Sequence, residues 1–178
     1  MWEEHSVGGR PLFAWAPEDR SRAYPTVYVL HAHMRSARWW FNVEPFAESY
    51  PDLIARTAPE AVVVLVDGWT DLGGGQWIGE LGSYLRDEVV PFVDAHYPAN
   101  GLRGLQGKSS GGYGAVVHAL ERPDLFQAFA AHAPDALFEV TLAHGFPAAA
   151  RALRERTLDE YWAAFDGLRS REDALVVE

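Results

Sequence analysis

The sequence predicts an α/β protein with a mostly parallel sheet. Two observations carry that expectation. Apolar runs rich in β-branched residues, such as TVYVLHAH (26–33) and AVVVLV (61–66), alternate along the chain with segments whose apolar residues recur at helical spacing. The run 61–66 is also apolar without interruption, as a strand covered on both faces must be, and doubly covered sheets are mostly parallel. A length of 178 residues suits a single domain over 1–178.

The elements follow in order. RPLFAWAP (10–17) reads as a short strand ended by proline, and TVYVLHAH as a second strand entered from Pro25. A polar and aromatic loop, MRSARWWFNVEPF (34–46), comes next. FAESYPDLIARTAP (46–59) has helical composition, with Pro51 limiting or kinking it. AVVVLVDG (61–68) is the doubly buried strand, and DLGGGQWIGE (71–80) a glycine-rich loop. In LGSYLRDEVVPFVDAHYP (81–98), Leu81, Tyr84, Leu85, Val89, Phe92 and Val93 stand at helical spacing, and Pro91 predicts a kink. LRGLQG (102–107) is a short strand, SGGYGAVVHALERP (110–123) a helix closed by Pro123, and LFQAFAAHAP (125–134) a further strand. FPAAARALRERTLDEYWAAFDGL (146–168) reads as one or two helices, with RALRERTLDE a solvated, charge-laced surface. No internal repeat, low-complexity tract or linker divides the chain.

The formal net charge of −10 disfavours nucleic acid and anionic membrane surfaces as partners. The chain has no cysteine, which excludes disulfides, thiolate metal sites and a cysteine nucleophile, and fits the cytoplasm. MWEEHSVGGRPL lacks the apolar core of a secretory signal, and no apolar run is long enough to span a bilayer.

The most informative stretch is GLQGKSSGGYG (104–114), for which three readings compete. Gly107, Ser109 and Gly111 meet the G-x-S-x-G pattern of a nucleophile elbow, in which a strand ends in a tight turn that presents a serine ahead of a helix. A phosphate-binding loop ending in G-K-S would need glycine at 102, where Leu102 stands. A strand-to-helix bend using glycine for shape alone is the third. Elsewhere, His31 and His33 form H-x-H, which suggests either a metal pair, with Asp67, Asp135 or Glu44 as third ligand, or a hydrogen-bonded loop anchor. The anchor is favoured, and no metal is expected. Asp67 reads as a partner for loop amides.

Three blocks together resemble the esterases of the α/β-hydrolase superfamily related to esterase D, enterochelin esterase and the antigen 85 mycolyltransferases. They are YPTVYVLHAH, VVVLVDGWTDLGGGQW with YLRDEVVPFVDAHYP, and LQGKSSGGYGAVVHALERPDLFQAFAAHAPD, in family order over most of 10–165. The resemblance implies an α/β-hydrolase-like three-layer fold, C-terminally shortened, corresponding to the N-terminal half to two-thirds of the family. It implies acyl transfer from a small-molecule ester with Ser109 as nucleophile and no cofactor. The backbone N–H of Ser110 would be one oxyanion donor, and Ala32 or His33 the other. Ala32 stands where the family has glycine. Trp39 and Trp40 would wall an acyl pocket or plug the core. For acid and base, the chain order of this fold admits Asp135 with His144; His132, at a strand end near the site, is the alternative base, whereas His118 lies within the helix. The competing expectation is a non-catalytic or truncated α/β-hydrolase-like domain that needs a partner or a further segment. A shortened sheet would expose an edge, so homo-oligomerisation or instability is the physical expectation.

Overall fold

The computed structural model describes residues 1–43, 47–70 and 73–138, and singly Pro147, Ala150, Arg151, Arg154, Thr157 and Glu160. Most of the helical segment expected at 146–168 therefore lies outside the described residues. Six strands, β1 (Glu3–Val7), β2 (Arg10–Trp15), β3 (Tyr24–Leu30), β4 (Val62–Val66), β5 (Ala99–Lys108) and β6 (Ala128–His132), form one sheet in the order β1-β2-β4-β3-β5-β6. β4, β3, β5 and β6 run parallel, while β1 and β2 add an antiparallel edge.

β1 is an addition to the sequence expectation. Its signal was the Gly8–Gly9 pair, whose φ values of 55° and 73° are those of a tight hairpin turn. β3 begins at Tyr24 and ends at Leu30, so His31 and His33 lie in the loop beyond it. The metal-pair reading of H-x-H, which would have both imidazoles on one face of a strand, loses that basis.

Strand alternation builds two cores. Leu12, Ala14, Tyr28, Leu30, Val62, Val64 and Val66 enter one, with Leu85, Val89, Val93 and Ala115. Phe13, Val29, Val63 and Leu65 enter the other, with Trp39, Trp40 and Ile54. The first core is covered by α2 (Gly79–Tyr84), α3 (Val90–His96) and α4 (Ser110–Glu121). The second lies under a 3₁₀ turn (Ala37–Phe41) and α1 (Tyr50–Thr57). This explains why all of β4 is buried.

Both prolines expected to disturb helices are accommodated by position. Pro51 stands in the first turn of α1, where its missing N–H is harmless, and Ser49 caps that turn by accepting from Asp52 N–H at 3.2 Å. Between α2 and α3 the helix widens over Leu85–Val89, where Val90 N–H reaches back five residues to the Leu85 carbonyl. The wider turn makes room for Pro91, which has no N–H to give and whose ring would strike the preceding turn. No helix among the described residues is long and apolar enough to cross a membrane.

Candidate active site

β5 runs without a break through Leu102 to Lys108. The stretch before Gly107 is therefore extended strand, which removes the phosphate-loop reading. Ser109 follows with φ 54° and ψ −120°, and α4 starts at the next residue. That backbone region is nearly reserved for glycine and costs a side-chain-bearing residue about 1–3 kcal/mol. The surroundings impose it. Ser109 N–H donates to the His132 carbonyl at 3.0 Å, extending the β5–β6 ladder, while the Ser109 carbonyl accepts from Tyr113 N–H at 2.9 Å, opening the helix.

Glycine is needed here for close approach. A Cβ on Gly107 would strike the Gly111 carbonyl, and one on Gly111 would strike the Leu30 carbonyl. The turn is thus packed backbone to backbone against the end of β3. Ser110 is fully buried, and its hydroxyl has no hydrogen-bond partner among the described residues.

Ser109 Oγ donates to Asp135 Oδ1 at 2.9 Å, and Asp135 N–H reaches the Ser109 carbonyl at 3.3 Å. The other carboxylate oxygen, Oδ2, accepts from Gln76 Nε2 at 2.9 Å. Crowding by neighbouring atoms lowers the pKa of His33, exposed beside this cluster, and the Asp135 carboxylate pulls it the other way. Sequence reasoning did not single out Gln76. A glutamine in a glycine-rich loop carries no motif, and only the fold brings it to Asp135.

The remaining sequence candidates separate. His132 is exposed at the end of β6, with its backbone rather than its ring bonded to Ser109. Among the described residues no imidazole hydrogen bonds to the Ser109 hydroxyl. His144 lies outside the described residues, as does Glu44. His31 is buried and holds loops together: Nε2 accepts from Gly68 N–H at 2.8 Å, and Nδ1–H donates to the Ala32 carbonyl at 2.8 Å. Asp67 accepts from the Ala37 and Trp69 amides, each at 3.0 Å. His118 is packed under the site, with Nε2–H donating to the Trp77 carbonyl at 2.6 Å.

In the loop after β3 the left-handed residue is Met34, with φ 58°, not Ala32. Ala32 therefore carries no left-handed strain. Met34 N–H donates to the Gly73 carbonyl at 2.7 Å, clasping this loop to the glycine-rich one.

Trp39 and Trp40 are buried and belong to the second core. Trp40 also lines a cleft of about 300 Å³ beside the turn, with Tyr50, Leu53, Gln106, Lys108 and His132. The Lys108 ammonium sits 5.1 Å from the centroid of the Trp39 ring. Trp77 is a core residue whose indole N–H donates to the His31 carbonyl at 3.0 Å.

Comparison with known proteins agrees with this architecture. A solved S-formylglutathione hydrolase from Agrobacterium tumefaciens superposes with a TM-score of 0.59 at 21% identity, over 75% of this chain and 57% of that one. A ferulic acid esterase from Anaeromyces mucronatus gives 0.60 at 18% identity, over 78% and 58%. Enterochelin esterase from Shigella flexneri gives 0.54 at 18% identity, over 70% and 34%. The chain spans a little over half the length of the first two structures and about a third of the last. Identities this low establish a shared fold: a mostly parallel sheet with helices on both faces, α/β-hydrolase-like. The family model for esterases, described as "Putative esterase", matches residues 8–166, most of the sequence, and the chain belongs to that family.

Proposed function

We propose that this protein is a serine-dependent carboxylic ester hydrolase that works through an acyl-enzyme on Ser109. The observation that carries the reading is the strained turn at Ser109, φ 54° and ψ −120°, between β5 and α4. This is the geometry a nucleophile elbow needs to lift a serine above the sheet edge. Ser109 Oγ attacks the ester carbonyl carbon and gives its proton to a base. The carbonyl oxygen becomes an oxyanion, held by the Ser110 N–H and an N–H from Ala32 or His33, near the positive end of α4. The alcohol leaves with the proton from the base, and water then repeats the sequence on the acyl-enzyme. In this reading Asp135 is the acid that holds the hydroxyl at rest, and His132 or His144 supplies the base. The cleft lined by Trp40, Tyr50 and Leu53 receives the acyl or aryl part of a small ester. No cofactor enters the scheme.

The test is fluorophosphonate labelling of the chain, with Ser109→Ala as control and peptide mapping of the adduct. Labelling confined to Ser109, and lost in His132→Ala or His144→Ala, is the expected result. A folded chain that takes no label would sink the proposal. It would favour the second reading, a non-catalytic or incomplete domain that needs a partner or further segment. One observation supports that reading: among the described residues the Ser109 hydroxyl is bonded to a carboxylate and not to an imidazole. β6 pairs on one side only among the described residues and leaves Phe129 49% exposed, which supports association with a second copy.

A further inference from the structure

Gln76 links the glycine-rich loop to the Ser109 turn, and its surroundings are unusual for a glutamine. Its Nε2 donates to Asp135 Oδ2, while Asp135 Oδ1 accepts from Ser109. Its own carboxamide oxygen is buried with no hydrogen-bond partner among the described residues. An unpaired buried acceptor is unfavourable, and such groups persist where a neighbouring contact requires them. Turning the amide over would not relieve it, because two acceptor oxygens would then face each other at Asp135.

The backbone that carries Gln76 is held firmly. A Cβ on Gly114 of α4 would strike the Trp77 side chain and press on the Gln76 carbonyl, so loop and helix are in direct contact. Trp77, the next residue, is anchored in turn to the His31 carbonyl. The carboxamide therefore projects toward Asp135 from a rigid mount. Asp135 follows β6 in an irregular segment, and among the described residues its carboxylate is held by Ser109 and Gln76.

We propose that Gln76 is a positioning residue, fixing the Asp135 carboxylate so that one oxygen stays on the Ser109 hydroxyl. The inference rests on the esterase reading, in which the Ser109 hydroxyl reacts. Of the titratable groups around Asp135, His33 acts on it electrostatically, and Lys108 and His132 stand at the adjoining strand ends, lining the cleft.

The experiment compares Gln76→Glu and Gln76→Met with the wild type in the rate of Ser109 phosphonylation by a fluorophosphonate between pH 5 and 8. In Gln76→Glu two carboxylates meet at hydrogen-bond distance and cannot both ionise, so they must share a proton. The expected result is a loss of about tenfold or more at pH 8 that recovers relative to wild type toward pH 5. Gln76→Met, which cannot form the bond, stays low throughout. Losses of equal size in both variants at every pH would mark a merely structural residue and overturn the proposal, as would wild-type rates at pH 8.

Thermal melts in the Ser109→Ala background give a readout independent of reactivity. Relative to Ser109→Ala alone, adding Gln76→Glu should lower Tm progressively as pH rises from 5 to 8. This follows because the shared proton makes the folded state the better proton binder. A pH-independent difference would overturn the Gln76–Asp135 contact. A silent wild-type Ser109 together with the pH-dependent melt would defeat the esterase reading and leave the hold of Gln76 on Asp135 standing.

Discussion

Ser109 occupies a backbone conformation that glycine would adopt more readily, and its retention there can be weighed directly. At ordinary positions Gly is less stable than Ala, by about 0.4–1 kcal/mol, because glycine adds freedom to the unfolded chain. At φ 54° and ψ −120° the strain of about 1–3 kcal/mol outweighs that term. Ser109→Gly is therefore expected to be more stable than Ser109→Ala by about 1 kcal/mol, read by urea denaturation. The opposite order would mean that the turn relaxes when the hydroxyl is removed. The serine itself was legible in the sequence, since G-K-S-S-G between an apolar lead and a helical segment is a local pattern. Its bond to Asp135, 26 residues away in sequence, follows from the pairing of β6 with β5 and has no local signature.

At the scale of elements, helix propensity and packing make opposite predictions for Gly111. Alanine is the better helix former by about 1 kcal/mol. A Cβ here, however, meets the Leu30 carbonyl, a backbone atom that cannot swing aside. Overpacking of that kind costs about 3 kcal/mol, so the clash wins and Gly111→Ala should lower stability by about 2 kcal/mol net. Thermal unfolding beside a solvent-facing helix substitution would check it. At α1 the cap is the testable feature. Ser49→Ala removes the acceptor for Asp52 N–H and should cost about 1 kcal/mol by chemical denaturation. Most of the elements were legible. β1 is not legible because EEHSV is polar and short, and the end of β3 is blurred because the following histidine and alanine do not punctuate a strand.

Across the whole molecule, the buried His118 couples stability to pH. Burial holds the pKa of His118 below 6.5; the bond to the Trp77 carbonyl opposes that, Arg86 adds to it, and Glu121 opposes it. The folded state thus favours neutral His118, while the unfolded chain takes up a proton below about pH 6.5. The unfolded state then binds more protons, so stability falls as pH drops from 6.5 until the folded pKa is passed. His33 shifts in the same direction, from crowding by its neighbours. Melting temperatures between pH 7.5 and 5 should decline, and His118→Gln should flatten the slope even if it lowers Tm at pH 7.5. A slope unchanged by the substitution would show that His118 is not the coupled group.

The sequence alone determined the class of fold and the place of the central turn. Hydrophobic periodicity, β-branched runs and glycine spacing are local properties, and they act wherever the chain passes through a strand, a helix or a tight bend. The same local reading could rank His31, His33, His118 and His132 only by type. Tertiary structure decided among them, because buried donors and acceptors must find partners. His31 and His118 are taken up by backbone groups of neighbouring loops, while His33 and His132 remain at the surface around Ser109. The same packing brings Asp135 and Gln76 together from separate loops, where the carboxylate accepts from both Ser109 and the glutamine amide.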